Sequence, residues 1–252
     1  MIKLKEEKGR TWIFRYYKKT ILGHKNEPYY KTESEILKEK KYNYNSLSID
    51  EKKIYTMVRK YTDKELLDRV QELKSFKEFP KGYWILAVRS KADKPNKFDD
   101  KFYIYKGTDF VRVLTGTTNP GLSILKGGFK KYNKVGAAVI KSNEWYYNIY
   151  KYGLHNRKMP ALRQRREKPI LYYRDGNMNS KSEELGKVQS GVIYTNFHGA
   201  TYVRDSLLVR DKINGWSAGC CTINDSKKYY DTMNTFKQSG QKYFTMCLIK
   251  EF

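Results

Sequence analysis

The residues able to do acyl chemistry are few in this chain. Three histidines and three cysteines stand among 252 residues. One of each falls in a single C-terminal segment: His198 in Phe197-His198-Gly199, and Cys220 at the end of Trp216-Ser217-Ala218-Gly219-Cys220. A thiol is a useful nucleophile only as thiolate, and a nearby imidazole is the usual means of making one. The 22 positions from His198 to Cys220 are too many for one helix face. They fit two adjacent elements joined by a loop. The pair points to thiol-based acyl transfer, provided that the imidazole lies near a sulfur facing an open cleft.

The remaining candidates weigh less. Cys220, Cys221 and Cys247 are odd in number and two are adjacent, which argues against a disulfide framework. No C-x-x-C pair with histidine partners suggests structural zinc. Asp175-Gly176-Asn177-Met178-Asn179 begins like a calcium loop, but Ser180 stands where the sixth-position glycine belongs and no glutamate stands twelfth. A polar turn is the better reading. No metal and no cofactor is expected. His155 reads as a structural or substrate-contacting histidine, and Ser217 as a hydrogen-bonding partner of either its own loop or a substrate.

Elements must position these groups. The first 80 residues read as helical and highly charged. Ser48-Ile49-Asp50-Glu51 and Thr62-Asp63-Lys64-Glu65 are capping boxes, with a hydroxyl at the N-cap and glutamate three residues on. Leu66, Leu67, Val70, Leu73 and Phe76 follow the second at helical spacing. Trp12 to Tyr17 fits a strand or an amphipathic helix equally. Phe79-Pro80-Lys81-Gly82 breaks the pattern, and a domain boundary is placed near residue 80. Beyond it, 83–89, 101–105 and 110–114 have the spacing of a β-meander. The series continues at 135–140, 146–150, 170–173, 191–194 and 243–249. Asp225 to Phe236 reads as a helix with Tyr229, Met233 and Phe236 on its apolar face. The expected class is α+β: a mainly antiparallel, barrel-like β domain over 81–252, preceded by a small basic helical region over 1–80.

Composition sets the partners. Fifty-one Lys and Arg against 27 Asp and Glu give a net charge of +24, which attracts polyanions. Nucleic acid fits that charge, and so do the anionic polymers and lipids of bacterial envelopes; the basic residues are scattered and select neither. No run of about 18 apolar residues spans a membrane. The N-terminus, Met1 to Lys8, lacks the apolar core of a secretory signal.

Several blocks together resemble the L,D-transpeptidase (YkuD-like) catalytic domain, in a bacteriophage-associated branch. They are Thr117-Thr118-Asn119-Pro120-Gly121, Tyr152-Gly153-Leu154-His155 with Pro160-Ala161-Leu162, Tyr173-Arg174-Asp175, Asn196-Phe197-His198 and Trp216 to Cys220. The resemblance covers roughly 82–252. It implies peptidoglycan chemistry: a cysteine thiolate attacks a stem-peptide amide, and the acyl-enzyme is released by an amine or by water. Carried onto this chain, Cys220 is the nucleophile and His198 its base. The amides of Gly219 and Cys220 are candidates for the oxyanion hole, and Ser217, Gly199 and His155 for substrate contacts. Two positions depart from the family pattern: Ala218, where a histidine is common, and Cys221, where an apolar or amide side chain is expected.

The resemblance implies stem peptides as partner and a virion or host envelope as location. The alternative is a virion or tail-associated protein that binds wall material with little or no catalysis, its N-terminal region docking other virion or tail proteins. A basic nucleic-acid-binding protein is a third reading, permitted by charge and supported by no motif.

Overall fold

The computed structural model describes residues 61–252 apart from Asp205, and before them the backbone of three strands. The chain divides into two compact units, Met1–Leu66 and Leu67–Phe252. In the first, β1 (Lys3–Glu7), β2 (Arg10–Tyr17) and β3 (Pro28–Lys31) form an antiparallel sheet in the order β1-β2-β3. The ambiguity over Trp12 to Tyr17 is thereby resolved as strand, and this region is not wholly helical as expected. The Ser48 capping box lies outside the described residues. The Thr62 box forms: Thr62 N–H donates to Glu65 Oε2 at 2.6 Å, and Glu65 N–H donates back to Thr62 Oγ1 at 3.2 Å. It starts helix α1 (Asp63–Gln71).

The second unit is mostly β. Eight strands close a barrel in the order β12-β13-β6-β5-β4-β14-β8-β9. They are β4 (Tyr83–Arg89), β5 (Asp100–Lys106), β6 (Asp109–Thr117), β8 (Glu144–His155), β9 (Met159–Gln164), β12 (Asn196–Gly199), β13 (Cys221–Ile223) and β14 (Phe244–Lys250). Pairing is antiparallel except for β12 with β13 and β14 with β4. The α+β class with a closed, mainly antiparallel sheet is the architecture observed. The meander over β4 to β6 follows the residue pattern closely. β4 reads as an unbroken apolar run because both its faces are covered. Ile85 and Ala87 join the main core, while Trp84, on the other face, stacks on Tyr105 at 5.0–5.1 Å, the same range as its contact with Trp145.

A second sheet, β11-β10-β7, is antiparallel and built from β7 (Ala137–Ile140), β10 (Ile170–Asp175) and β11 (Gln189–Gly191). A four-residue helix, α2 (Leu122–Leu125), and a 3-10 turn at Gly128–Lys131 lead into it. Helix α3 (Ser226–Gln238) starts at Asp225, whose side chain accepts the Lys228 N–H at 3.0 Å. Its buried Tyr229, Met233 and Phe236 enter the same core as Phe197, Phe102 and Phe244. Burying each such side chain contributes roughly 1.5–3 kcal/mol, so the helix holds β12 firmly from behind.

Candidate functional site

Strands β12 and β13 carry or lead into the candidate residues. They run parallel in the register Phe197↔Cys221, His198↔Thr222 and Gly199↔Ile223. Parallel neighbours need a long return connection, and residues 200–220 are that connection. It is the irregular insert between the two motifs. Alternation then sorts the side chains. Phe197, Cys221 and Ile223 face the core. Asn196, His198 and Cys220 line a cavity of about 990 Å³ on the other side, together with His155, Tyr194, Thr195, Ala218 and Gly219.

The turn into Cys220 is tightly specified. Gly219 has φ +122°, and a Cβ there would sit 2.5 Å from the carbonyl oxygen of Ala138 in β7. Only glycine meets both conditions. Ser217 Oγ accepts the Gly219 N–H at 3.2 Å and donates to the Cys220 carbonyl at 2.8 Å. Thr195 Oγ1 donates to the Gly219 carbonyl at 2.9 Å. Ahead of the turn, the Gly121 N–H donates to the Ser217 carbonyl at 2.9 Å, which ties it to the segment before α2.

Cys220 is partly exposed and free of disulfide bonding. Its Sγ receives the backbone N–H of Asn196 at 3.4 Å, and the Tyr194 carbonyl lies 4.0 Å away. Enclosure pushes the thiol up to about 11, against the stabilising Asn196 N–H. Tyr194 itself sits at φ +55°, a conformation a bulky residue seldom adopts.

His198 is fully buried. Its Nδ1 lies 2.8 Å from the Gly199 carbonyl oxygen. An oxygen acceptor there requires the proton on Nδ1, so Nε2 is left with its lone pair. Nε2 faces Thr222 Oγ1 at 3.4 Å. Burial, and next the charge of His155, bring the imidazole down to about 3. His155, from β8, stacks on His198 with ring centroids 4.0 Å apart and planes inclined by 16°. Asn196 Nδ2 lies 3.1 Å from His155 Nδ1, while Asn196 Oδ1 accepts the Gln164 N–H at 3.2 Å. The Asn196 amide is therefore oriented with its N–H toward His155 Nδ1. Asn156 Nδ2 lies 3.0 Å from His155 Nε2 and donates to the Tyr202 hydroxyl at 3.0 Å.

The structure thus brings Cys220, His198, His155 and Gly219 into one cavity. No hydrogen bond joins the Cys220 sulfur to either imidazole; its neighbours are backbone groups of 194 and 196. Ser217 and Gly199 do not line the cavity. Ser217 is spent on its own turn. Gly199 supplies the carbonyl that orients His198, and a Cβ there would strike the Tyr229 ring at 2.7 Å. The Gly219 amide is engaged by Ser217, leaving the Cys220 amide as the other oxyanion candidate of the pair. Cys221 is core: its sulfur lies 3.8 Å from that of Met246, and burial pushes it to about 12. Ala218 packs against Ile124, Leu125, Phe129 and Ala137. Reasoning from sequence gave no separate role to Asn196, Thr195 or Arg163. An asparagine or threonine two or three residues before a histidine carries no signal of its own.

No protein-family model, no curated protein and no solved structure matches this chain. Among the described residues, no group of three or more His, Cys, Asp or Glu is arranged to hold a metal. No helix among them is long and apolar enough to cross a membrane.

Proposed function

We propose that the second unit is a cysteine acyl-transfer enzyme of the L,D-transpeptidase (YkuD-like) type, phage-encoded, acting on peptidoglycan stem peptides at a virion or host envelope. The observation that carries this reading is the His198 imidazole. It is held neutral, with Nδ1 donating to the Gly199 carbonyl, on the strand face that also presents Cys220 to the cavity. A neutral imidazole carries the lone pair that a general base needs. Lowered to about 3, it is a weak base for a thiol at about 11, so bound substrate must bring the two closer in basicity before the proton moves. With the thiol raised and the imidazole lowered, the resting pair is thiol and imidazole, not thiolate and imidazolium.

The reaction that follows is general-base attack. His198 Nε2 takes the Cys220 proton as Sγ bonds to the amide carbon, and the carbonyl electrons move to oxygen. The Cys220 N–H is the candidate donor to that oxyanion, a contribution on the order of 3 kcal/mol for one donor. Collapse breaks the C–N bond, and the leaving amine takes the proton from His198. An amine or water then attacks the thioester carbon, the C–S bond breaks, and the nucleophile's proton passes through His198 to the departing Cys220 sulfur, restoring thiol and neutral imidazole. Cleavage by water suits a phage that opens a wall. Substrate must close the gap between sulfur and imidazole, as catalytic contacts in unliganded sites often tighten on binding.

The same gap favours a second reading, a wall-binding virion protein with little catalysis. Purified cell wall incubated with the protein, followed by mass spectrometry of released peptides, separates the two. The enzyme reading expects release to fall on the order of 10⁴-fold or more in Cys220→Ala and in His198→Ala, with both variants folded. Release unchanged in either variant removes the Cys220–His198 mechanism, and no release by the native chain alongside retained wall binding leaves the binding reading in its place.

A further inference from the structure

The cavity is charged on one side of the ledger only. Lys131, Arg157, Arg163 and Arg174 line it, and no Asp or Glu does. Among the described residues none of the four has an ion-pair partner. Arg174 donates to the Gly136 carbonyl at 3.2 Å and lies over the Tyr172 ring at 4.8 Å, which fixes its guanidinium without neutralising it. Lys131 and Arg157 are exposed at the rim. Uncompensated positive charge in a concave site raises the local concentration of anions and speeds their arrival.

Arg163 is the best placed of the four. Its Cα pairs with Asn196 across β9 and β12, and Asn196 is the residue whose N–H meets the Cys220 sulfur. Its side chain crosses β8 over Gly153. A Cβ at 153 would lie 3.0 Å from Arg163 Cδ and 3.6 Å from Cγ. Two residues further along β8 stands His155, whose pKa is lowered by burial and then by the Arg163 charge. The arginine is therefore delivered into the cavity on the side of the His155 ring, through a gap that the absence of a side chain at 153 provides.

We propose that Arg163 is a specificity-determining residue that binds a carboxylate of the acyl-donor peptide, with Arg174 beside it and the rim cations drawing the anion in. A guanidinium matches a carboxylate with two parallel N–H···O bonds, and a peptide is the ligand that the thiol and imidazole of this cavity can act on. The assignment rests on the cysteine-enzyme reading for its choice of ligand, and its test does not depend on turnover.

The test uses the full chain carrying Cys220→Ala and titration calorimetry. The probes are a four-residue stem peptide with a free side carboxylate and the same peptide with that carboxylate amidated. The carboxylate form is expected to bind about tenfold more tightly or better, a difference of about 1.4 kcal/mol, and to lose its advantage in high salt. Arg163→Gln should bring the two peptides within about twofold, while Arg163→Lys should keep part of the preference as a point charge. Gly153→Ala should also erode it by displacing the arginine. An unchanged preference in Arg163→Gln overturns the assignment, and so does failure of the carboxylate peptide to bind. So too does a short single-stranded oligonucleotide that binds in an Arg163-dependent way where the peptide does not, since that marks phosphate recognition. Carboxylate preference without turnover by the native chain keeps the assignment and removes the enzyme. Turnover by the native chain at equal rates on both peptides keeps the enzyme and removes the assignment.

Discussion

The two faces of the β12–β13 pair differ sharply in what surrounds them. Phe197, Cys221 and Ile223 on one side are fully buried in the core. Asn196, His198 and Cys220 on the other carry hydrogen bonds, a neutral imidazole and a reachable sulfur. Cys220 and Cys221 are adjacent in sequence and chemically opposite in consequence. The contrast teaches that a strand can fill a core and line a polar cavity at once, because a one-residue step reverses the direction of the side chain.

The packing face should break first in stability. Phe197→Ala removes a ring in contact with Phe102, Tyr229 and Phe236 and is expected to cost about 3–5 kcal/mol in denaturant unfolding. A loss under 1 kcal/mol would mean that the barrel does not lean on this strand. Gly219→Ala strikes the junction of the two faces. It places a Cβ against the Ala138 carbonyl at a φ that disfavours it, with strain of roughly 1–3 kcal/mol. Activity should fall further than stability, because the cysteine turn moves. A variant with native activity would show that the turn tolerates a side chain.

The chemical face should show itself in pH. His198 stays neutral in the fold down to about 3, from an ordinary 6.5. Between those values the unfolded chain takes up the proton first. Its share of stability is therefore present above pH 6.5 and is lost as pH falls toward 3, by up to about 1.4 kcal/mol per pH unit. His155, also lowered, acts in the same direction. Asp100 acts oppositely: burial raises it from 3.8 to about 6, so its share is lost as pH rises through about 6. Comparing the native chain with His198→Gln cancels Asp100. The native unfolding free energy should fall more steeply below pH 6.5 than the variant's. Parallel curves would show that the imidazole is not buried as a neutral group.

Much of this was legible and some was not, for identifiable reasons. β4, β5, β14 and α3 announce themselves through β-rich runs and a helical stripe. β9 was passed over because Pro160 interrupts it, and proline demotes a strand. In the structure β12 pairs only with Leu162 and Arg163 of that strand, so no ladder bond on that side is asked of Pro160. The strands of the first 31 residues were obscured by charge that resembles a solvated helix. Of the site, the His198 and Cys220 motifs could be read directly, since both are rare residue types in glycine contexts. Asn196 and Arg163 could not.

Residue type and spacing by themselves single out one thiol and one imidazole in this chain as candidates, with a long connection between them. They determined the charge that draws anions and the alternation that divides one strand into two faces. Only the tertiary structure decided which cysteine of the adjacent pair meets the cavity, that a carbonyl fixes the imidazole tautomer, and that an arginine from a third strand lines the same cavity. Those outcomes depend on parallel register, on burial and on contacts between residues far apart in the chain. None of these is a property of any local stretch of sequence.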